Sequence, residues 1–174
     1  MAYARASVAI KVVASVDQVW DHIGSFSNIK PIMQGGIVKS DIDKTGTIRK
    51  LSVKGAKGII TERLIKYDSL THTQIYAIID KPNNIVPFVN YTATIKVKPS
   101  TSRSCTVEWS SRFEPKKGQT VKSCQEFAVG IYTTGIGGVK KRVETNKKVS
   151  KPKAKVPAKR KKAATRKKGS KKNS

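Results

Sequence analysis

The stretch Thr120–Glu144, TVKSCQEFAVGIYTTGIGGVKKRVE, is the longest helical pattern in the chain and predicts the element around which the remainder folds. Its apolar residues and one glycine recur mostly at steps of three and four, which places them on one face of a helix. They are Val121, Cys124, Phe127, Ala128, Ile131, Gly135, Val139 and Val143. Because four glycines interrupt the pattern, tertiary contacts rather than helix propensity must stabilise this helix. It therefore either packs directly on a sheet or forms one wall of a cavity.

The charge of the chain is unevenly distributed. The 174 residues include 36 lysines and arginines and 11 acidic residues. Segment 147–174 holds 14 of the basic residues, no acidic residue and few apolar side chains, a composition that cannot build a core. We therefore predict a folded domain over residues 1–146 and a disordered Lys-rich tail over residues 147–174.

Neither the cysteines nor the N-terminus indicates an exported or membrane protein. Cys105 and Cys124 fall on a predicted strand and on the helix, without CxxC spacing, and are expected to be reduced core residues. The apolar run Val8–Ala14 is short and contains Lys11, so we predict no signal peptide and no membrane span. These features favour an intracellular protein, which is cytoplasmic or nucleoid-associated, or nuclear if the source is eukaryotic. We expect it to be a monomer or a weak dimer.

A strand and a small helical segment are predicted at the start of the chain. Residues Ser7–Val13 alternate as a strand, and the capping-box pattern Ser15–Gln18 begins a short helix that Gly24 ends. A second turn of helix at Ser27–Ile29 is expected to end before Pro31, because the residue preceding a proline is driven out of the helical region.

The middle of the chain predicts an antiparallel meander. Turn signals recur there every eight to twelve residues, which is the spacing of short strands in a meander. The strands are predicted near 37–42, 47–54, 58–66, 73–79, 90–98 and 104–113. With the first strand they make seven. The proline-containing segment Asp80–Asn90 is predicted to be a loop at the rim of a cavity.

The hairpin Thr47–Leu64 brings two charged residues onto an apolar face. If Gly55 and Ala56 form a two-residue turn of type II′, the register places Arg49 opposite Glu62. The neighbours on that face are apolar, so we predict that it points inward and carries an arginine beside a glutamate. The same alternation, applied to the other elements, predicts cavity-lining side chains at Trp20, Leu51, Ile60, Tyr76, Ile78, Tyr91, Ile95, Trp109, Phe113, Phe127 and Ile131.

Two interpretations of Arg49 and Glu62 are open. An ion pair in a cavity would orient a polar group of a ligand, or the glutamate would transfer a proton as a catalytic residue. Alternatively, the pair only satisfies two charges that the fold leaves inside. His22 and His72 have no third ligand-type residue near them in the sequence, and no metal site or cofactor is predicted. Fingerprints of common hydrolases, metalloproteases and nucleotide-binding proteins are missing from the sequence.

Several short motifs carry a resemblance to a known family. They are Val19-Trp20, Gly46-Thr47-Ile48-Arg49, Thr61-Glu62-Arg63-Leu64, Tyr76-Ala77-Ile78-Ile79, Asn90-Tyr91-Thr92-Ala93-Thr94-Ile95, Val107-Glu108-Trp109 and Phe113-Glu114-Pro115. In this order and spacing they resemble the polyketide cyclase/dehydrase branch of the SRPBCC superfamily, related to START lipid-transfer domains and the birch pollen allergen. The resemblance implies a helix-grip α+β fold, in which a curved seven-stranded antiparallel sheet wraps a long C-terminal helix around a ligand cavity.

The resemblance also bears on the inward pair. In lachrymatory factor synthase-like members, an inward Arg and Glu on matching strands are implicated in catalysis, and Arg49 and Glu62 occupy the matching motif positions. Members commonly carry a Trp followed by His-Pro after the first helix, where this chain has Ile29-Lys30-Pro31. Chemistry that depends on that histidine therefore does not carry over.

The basic tail resembles the tails of linker histones and histone-like proteins. Basic runs of this kind neutralise phosphates without reading bases, so we predict that the tail contacts nucleic acid or another polyanion. An anionic membrane surface, a nuclear import signal and a solvated extension remain open. The residues expected to contact nucleic acid are Lys159, Arg160, Lys161, Lys162, Arg166, Lys167 and Lys168.

Three functions follow, in order of preference. The first is a carrier or sensor of a small hydrophobic or lipid-like molecule held in the cavity. The second is a cyclase-like or dehydrase-like enzyme that uses Arg49 and Glu62. The third is a nucleic-acid-associated protein that acts mainly through its tail.

Overall fold

A seven-stranded antiparallel sheet and a long C-terminal helix make up most of the structure, a computed structural model that describes the backbone of residues 3–149 and the side chains of residues 3–145. The elements are β1 (Ala4–Val12), α1 (Val16–Ile23), 3-10 turns at Phe26–Asn28 and Lys30–Ile32, β2 (Ile37–Ile42), β3 (Ile48–Val53), β4 (Ile59–Asp68), β5 (Thr73–Ile78), β6 (Phe88–Thr101), β7 (Ser104–Pro115) and α2 (Val121–Val149). The strand order is β1-β7-β6-β5-β4-β3-β2. This is the predicted helix-grip architecture. Helix α2 continues to Val149, three residues into the predicted tail, whereas residues 150–174, including the residues 159–162 and 166–168 expected to contact nucleic acid, lie outside the described residues.

Two strands begin earlier in the chain than predicted. Strand β1 begins at Ala4 rather than Ser7, because Ala4 already pairs with β7. Strand β6 begins at Phe88, so the end of the predicted loop Asp80–Asn90 belongs to the strand. In both cases a neighbouring strand supplies partners for backbone groups that a loop would leave to water. Pro99 is accommodated near an irregularity in the β6–β7 pairing.

The capping box at the start of α1 is confirmed. The amide of Gln18 donates to the Ser15 hydroxyl at 3.3 Å, and the Ser15 amide donates to the Gln18 side chain at 3.2 Å. The first 3-10 turn ends before Pro31 as predicted, but an unpredicted second turn, Lys30–Ile32, contains that proline. Proline is tolerated in the first turn of a helix because the N–H it lacks would have no partner there.

The hairpin between β3 and β4 has the predicted register but a different turn. Arg49 lies directly opposite Glu62. The turn hydrogen bond runs from the Ala56 amide to the Val53 carbonyl at 3.2 Å, so Gly55 is the third turn residue and the type II′ assignment is wrong. Its φ of +76° is the left-handed conformation that a type II turn requires at this position. The strands end at Val53 and Ile59, so five residues rather than two connect them, but the register is the predicted one.

Helix α2 buries a face that is rotated from the predicted one. Val121 is 48% exposed and Phe127 is 41% exposed, whereas Tyr132 and Ile136, which the predicted stripe omits, are fully buried. The buried residues are Cys124, Ala128, Tyr132, Gly135, Ile136, Gly138, Val139 and Val143. Phe127 lies to one side of this stripe, and α2 therefore packs on the sheet and also walls a cavity.

Two glycines let other parts of the chain approach the backbone of α2. A Cβ atom at Gly135 would lie 2.6 Å from Cζ3 of Trp109, and one at Gly138 would overlap the carbonyl group of Ile32. By contrast, a Cβ atom at Gly130 would meet nothing within 4 Å. The contact at Gly138 holds the second 3-10 turn against the helix.

The two cysteines are free and buried, as predicted. The Cys124 thiol donates to the carbonyl of Pro87 at 3.3 Å. Burial raises the pKa of both thiols, which disfavours the reactive thiolate. Both residues therefore belong to the core.

Candidate ligand-binding cavity

A cavity of about 490 Å³ lies between α2 and the sheet. This volume is within the range of roughly 300–1,000 Å³ that is typical of small-molecule sites. Its lining is mostly apolar and aromatic and includes Ile29, Met33, Ile37, Leu51, Val53, Ile60, Tyr76, Ile78, Ile85, Val86, Phe88, Tyr91, Trp109, Phe127, Ala128, Ile131 and Tyr132. Strands β2 to β7, helix α2 and the residues around the second 3-10 turn all contribute.

The rim of the cavity is formed where α2 faces two loops. Phe127 lines the cavity but is 41% exposed, which places it at the opening. Ala56, in the turn after β3, is exposed and also lines the cavity. The predicted rim loop between β5 and β6 contributes Ile85 and Val86. A ligand would enter between these loops and the helix.

Three of the predicted cavity residues lie elsewhere in the core. Trp20 stacks on Tyr67 at a ring distance of 5.7 Å and donates its indole N–H to the Tyr67 hydroxyl at 3.3 Å. Ile95 is buried outside the cavity, and Phe113 packs against Phe88 at 5.0 Å. The other eight line the cavity, namely Leu51, Ile60, Tyr76, Ile78, Tyr91, Trp109, Phe127 and Ile131. Strand alternation shows which face a side chain occupies, but not how far along the strand the cavity extends.

Sequence reasoning missed several lining residues. Tyr132 follows Ala128 by four positions, so a stricter helical period would have found it. Phe88 falls within the segment 80–90, which its two prolines and adjacent asparagines predict to be a loop. Met33 reaches the cavity only because α2 and the second 3-10 turn pack together, and no local pattern in the sequence signals that contact.

The Arg49–Glu62 ion pair is buried in the cavity wall. Arg49 is 2% exposed and Glu62 is 6% exposed. The Nε and Nη2 atoms of Arg49 lie 2.7 Å and 2.5 Å from Glu62 Oε2, and Nη1 donates to the carbonyl of Phe26. The guanidinium carbon also lies 4.2 Å from the ring centre of Phe26 and 5.7 Å from that of Tyr76. Each guanidinium nitrogen therefore has a partner within the fold.

The second carboxylate oxygen of Glu62 is left open. Both contacts with Arg49 use Oε2, and no group in the described part of the chain donates to Oε1. Only two side-chain polar atoms of the described residues are fully buried without a partner, on Ser40 and Asn84. Since Oε1 is not one of them and Glu62 lines the cavity, this oxygen faces cavity space as a free hydrogen-bond acceptor.

The cavity hydroxyls are mostly engaged with one another and are neutral. Tyr132 donates to Ser111 at 2.6 Å and lies 2.7 Å from the Tyr91 hydroxyl, and the Trp109 indole donates to the Tyr76 hydroxyl at 3.1 Å. Burial raises the pKa of Tyr132 to about 12 and the pKa values of Tyr76 and Tyr91 well above their usual value. All three remain protonated at neutral pH, so the charge of the lining is confined to the ion pair.

Metal-binding and membrane-spanning features are not found in the part of the chain that the structure describes. Among residues 3–149, no three His, Cys, Asp or Glu side chains come together in a way that could hold a metal ion. His72 instead lies 3.3 Å from a carboxylate oxygen of Asp17. Neither described helix combines the length and the apolar character that a bilayer crossing requires.

Comparison with protein-family models identifies the chain. The model described as polyketide cyclase / dehydrase and lipid transport matches residues 3–144. The chain belongs to this family. The resemblance inferred from the sequence motifs is thereby confirmed, and the match ends before the basic segment 147–174.

Several proteins of known structure have the same fold over most of this chain. The protein XoxI from Bacillus cereus is 27% identical, with a TM-score of 0.74 over 83% of this chain and 98% of that one. An uncharacterised protein from Bacillus thuringiensis is 27% identical, with a TM-score of 0.72 over 81% of this chain and 99% of its own. Norcoclaurine synthase from Thalictrum flavum, in complex with dopamine and hydroxybenzaldehyde, is 19% identical, with a TM-score of 0.68 over 87% and 90% of the two chains. That likeness shows the fold alone. Comparison with curated proteins yields no match.

Proposed function

We propose that this family member binds a small, predominantly apolar molecule in the cavity between α2 and the sheet and acts as its carrier or sensor. The observation that supports this function best is a single open acceptor, Glu62 Oε1, on an otherwise apolar wall. Pockets that recognise small molecules combine such walls with a few polar groups that set the orientation of the ligand. Burying an acceptor without a donor is unfavourable, and a bound ligand would remove that penalty.

The same oxygen supports a second candidate function, catalysis. A carboxylate that faces a bound molecule can accept a proton from it. Both candidates share the binding step and differ in whether the bound molecule changes. Native mass spectrometry of the protein from its own host would identify a co-purifying ligand, and incubation with that ligand would reveal any product.

Filling the cavity should abolish binding. Ile131 lines the cavity, and Ile131→Trp places a large side chain in it. We expect the affinity for the neutral apolar dye Nile red to fall at least about tenfold, which corresponds to about 1.4 kcal/mol. Fluorescence titration measures this, with circular dichroism as the check on folding.

A matched control comes from the outer side of the same helix. Val129 is 36% exposed and does not line the cavity, so Val129→Trp adds the same side chain without filling the cavity. This variant should bind the dye as the wild type does. Equal binding by all three proteins would show that the dye, and by extension the ligand, uses another site.

We also propose that segment 147–174 contacts nucleic acid or another polyanion. Its 14 basic residues without an acidic one support this. If about eight phosphates are neutralised, the logarithm of the affinity for duplex DNA should fall against the logarithm of the salt concentration with a slope near −7, independently of sequence. Filter binding at several salt concentrations measures the slope.

A truncated chain and a second polyanion locate this interaction. Residues 1–149, which end where α2 ends, should lose the binding. Undiminished DNA binding by residues 1–149 would place the site on the folded domain. Stronger binding to phosphatidylserine vesicles than to DNA would favour a membrane surface as the partner.

A further inference from the structure

Among the described lining residues, no cation is left unpaired for an acidic ligand. Arg49 is the only basic residue among the described lining residues, and Glu62 is the only acidic one. All three guanidinium nitrogens of Arg49 already have a partner: Nε donates to Glu62 Oε2, Nη2 is in ion-pair contact with the same oxygen, and Nη1 donates to the Phe26 carbonyl. The rings of Phe26 and Tyr76 lie against the same guanidinium group. The arginine is therefore committed to the fold and to the glutamate.

The open polar atom of the pair is an acceptor. An ionised carboxylate only accepts hydrogen bonds, and Oε1 of Glu62 lacks a donor among residues 3–149. A ligand group that complements it must donate. A ligand carboxylate or phosphate would instead bring a second negative charge next to Glu62 in an apolar surrounding, where like charges repel most strongly.

The tyrosines do not alter this balance. The hydroxyls of Tyr91 and Tyr132 are occupied in the contacts with each other and with Ser111. Tyr76 accepts from Trp109, and its hydroxyl also interacts with that of Tyr91. Neutral hydroxyls do not compensate a buried anion placed beside another anion. The lining as a whole is neutral and favours a neutral guest.

We propose that the ligand is a neutral apolar alcohol or phenol whose O–H group donates to Glu62 Oε1, and that the cavity discriminates against carboxylates and phosphates of the same shape. This inference rests on the proposed ligand-binding function and specifies its chemical class. It separates the chain from a carrier of ionised fatty acids or phospholipids, because such cargo needs a cation that the cavity does not offer.

Three matched probes test the class of ligand. They are 1-pyrenebutanol, its methyl ether and 1-pyrenebutyric acid, which share one apolar body and differ in the polar end. With the full chain at pH 7.5 and physiological salt, we expect the alcohol to bind at least about tenfold more tightly than either of the others. The formal net charge of the chain, +25, attracts the acid non-specifically, so a preference for the alcohol would arise against that background.

The variant Glu62→Gln should reverse the preference. It leaves Arg49 without a countercharge while changing the side-chain volume little, so the acid should gain at least about tenfold in affinity relative to the alcohol. Glu108→Gln is the matched control, because Glu108 pairs with Lys98 at 2.7 Å outside the cavity lining and should leave the ratio unchanged. Circular dichroism checks folding, and if Glu62→Gln fails to fold, the wild-type probe ratios decide alone.

The outcomes separate this inference from the proposed function. If wild-type protein binds the acid as tightly as the alcohol, and Ile131→Trp weakens both, the cavity binds ligands but the neutral class is overturned. Equal affinities for the alcohol and the ether would overturn the donor requirement in the same way. If none of the probes binds, the proposed function itself fails, and the inference fails with it.

Discussion

Replacing Gly138 with alanine is expected to lower the free energy of unfolding by about 3 kcal/mol, the upper part of the usual range for overpacking a filled core. The new Cβ atom would overlap the carbonyl group of Ile32. That group is backbone, so it cannot move aside by rotating a side chain. Relief requires the second 3-10 turn to separate from α2, which would also displace Met33 from the cavity wall.

The same substitution at Gly130 is the matched control. Gly130 lies in the same helix, and its added Cβ atom would meet nothing within 4 Å. Alanine there should raise the free energy of unfolding by about 1 kcal/mol, because alanine is the better helix former. Urea denaturation of the two variants measures both changes. A stable Gly138→Ala variant would mean that α2 and the turn do not pack as closely as the structure has them.

Replacing one partner of the buried ion pair should lower the free energy of unfolding more than replacing both partners. Arg49→Met leaves the carboxylate of Glu62 without a donor in an apolar wall, and we expect a loss of about 3–5 kcal/mol in the free energy of unfolding. The double variant Arg49→Met with Glu62→Leu removes both charges at similar volume. It should recover most of that loss, because well-packed apolar residues replace buried ion pairs at little cost.

Urea denaturation of Arg49→Met, Glu62→Leu and the double variant measures the coupling between Arg49 and Glu62. If Arg49→Met lowers the free energy of unfolding by less than about 1 kcal/mol, water in the cavity stabilises the Glu62 carboxylate as effectively as Arg49 does in the wild type. Recovery of stability in the double variant should be accompanied by loss of the preference for the alcohol probe. That combination would assign the pair to ligand recognition rather than to stability.

Local sequence patterns account for much of the fold. The capping box at Ser15 and Gln18 forms as predicted because its two hydrogen bonds join residues three positions apart. Arg49 faces Glu62 because strand alternation and the number of loop residues together set the register. The predicted two-residue turn was wrong, yet the register held, because the wider loop is centred on the same residues and keeps Arg49 opposite Glu62.

Some features of the candidate site follow from local sequence patterns, and others depend on tertiary packing. Local patterns alone predict that Arg49 and Glu62 lie side by side on an inward face, because the two-residue period of a strand and the position of a turn are local properties of the chain. Long-range packing places Met33 in the cavity lining and leaves Trp20 and other inward residues out of it. It also decided that Glu62 keeps one oxygen open. These features depend on how closely α2 approaches the sheet, and that distance is set by contacts between residues far apart in the sequence.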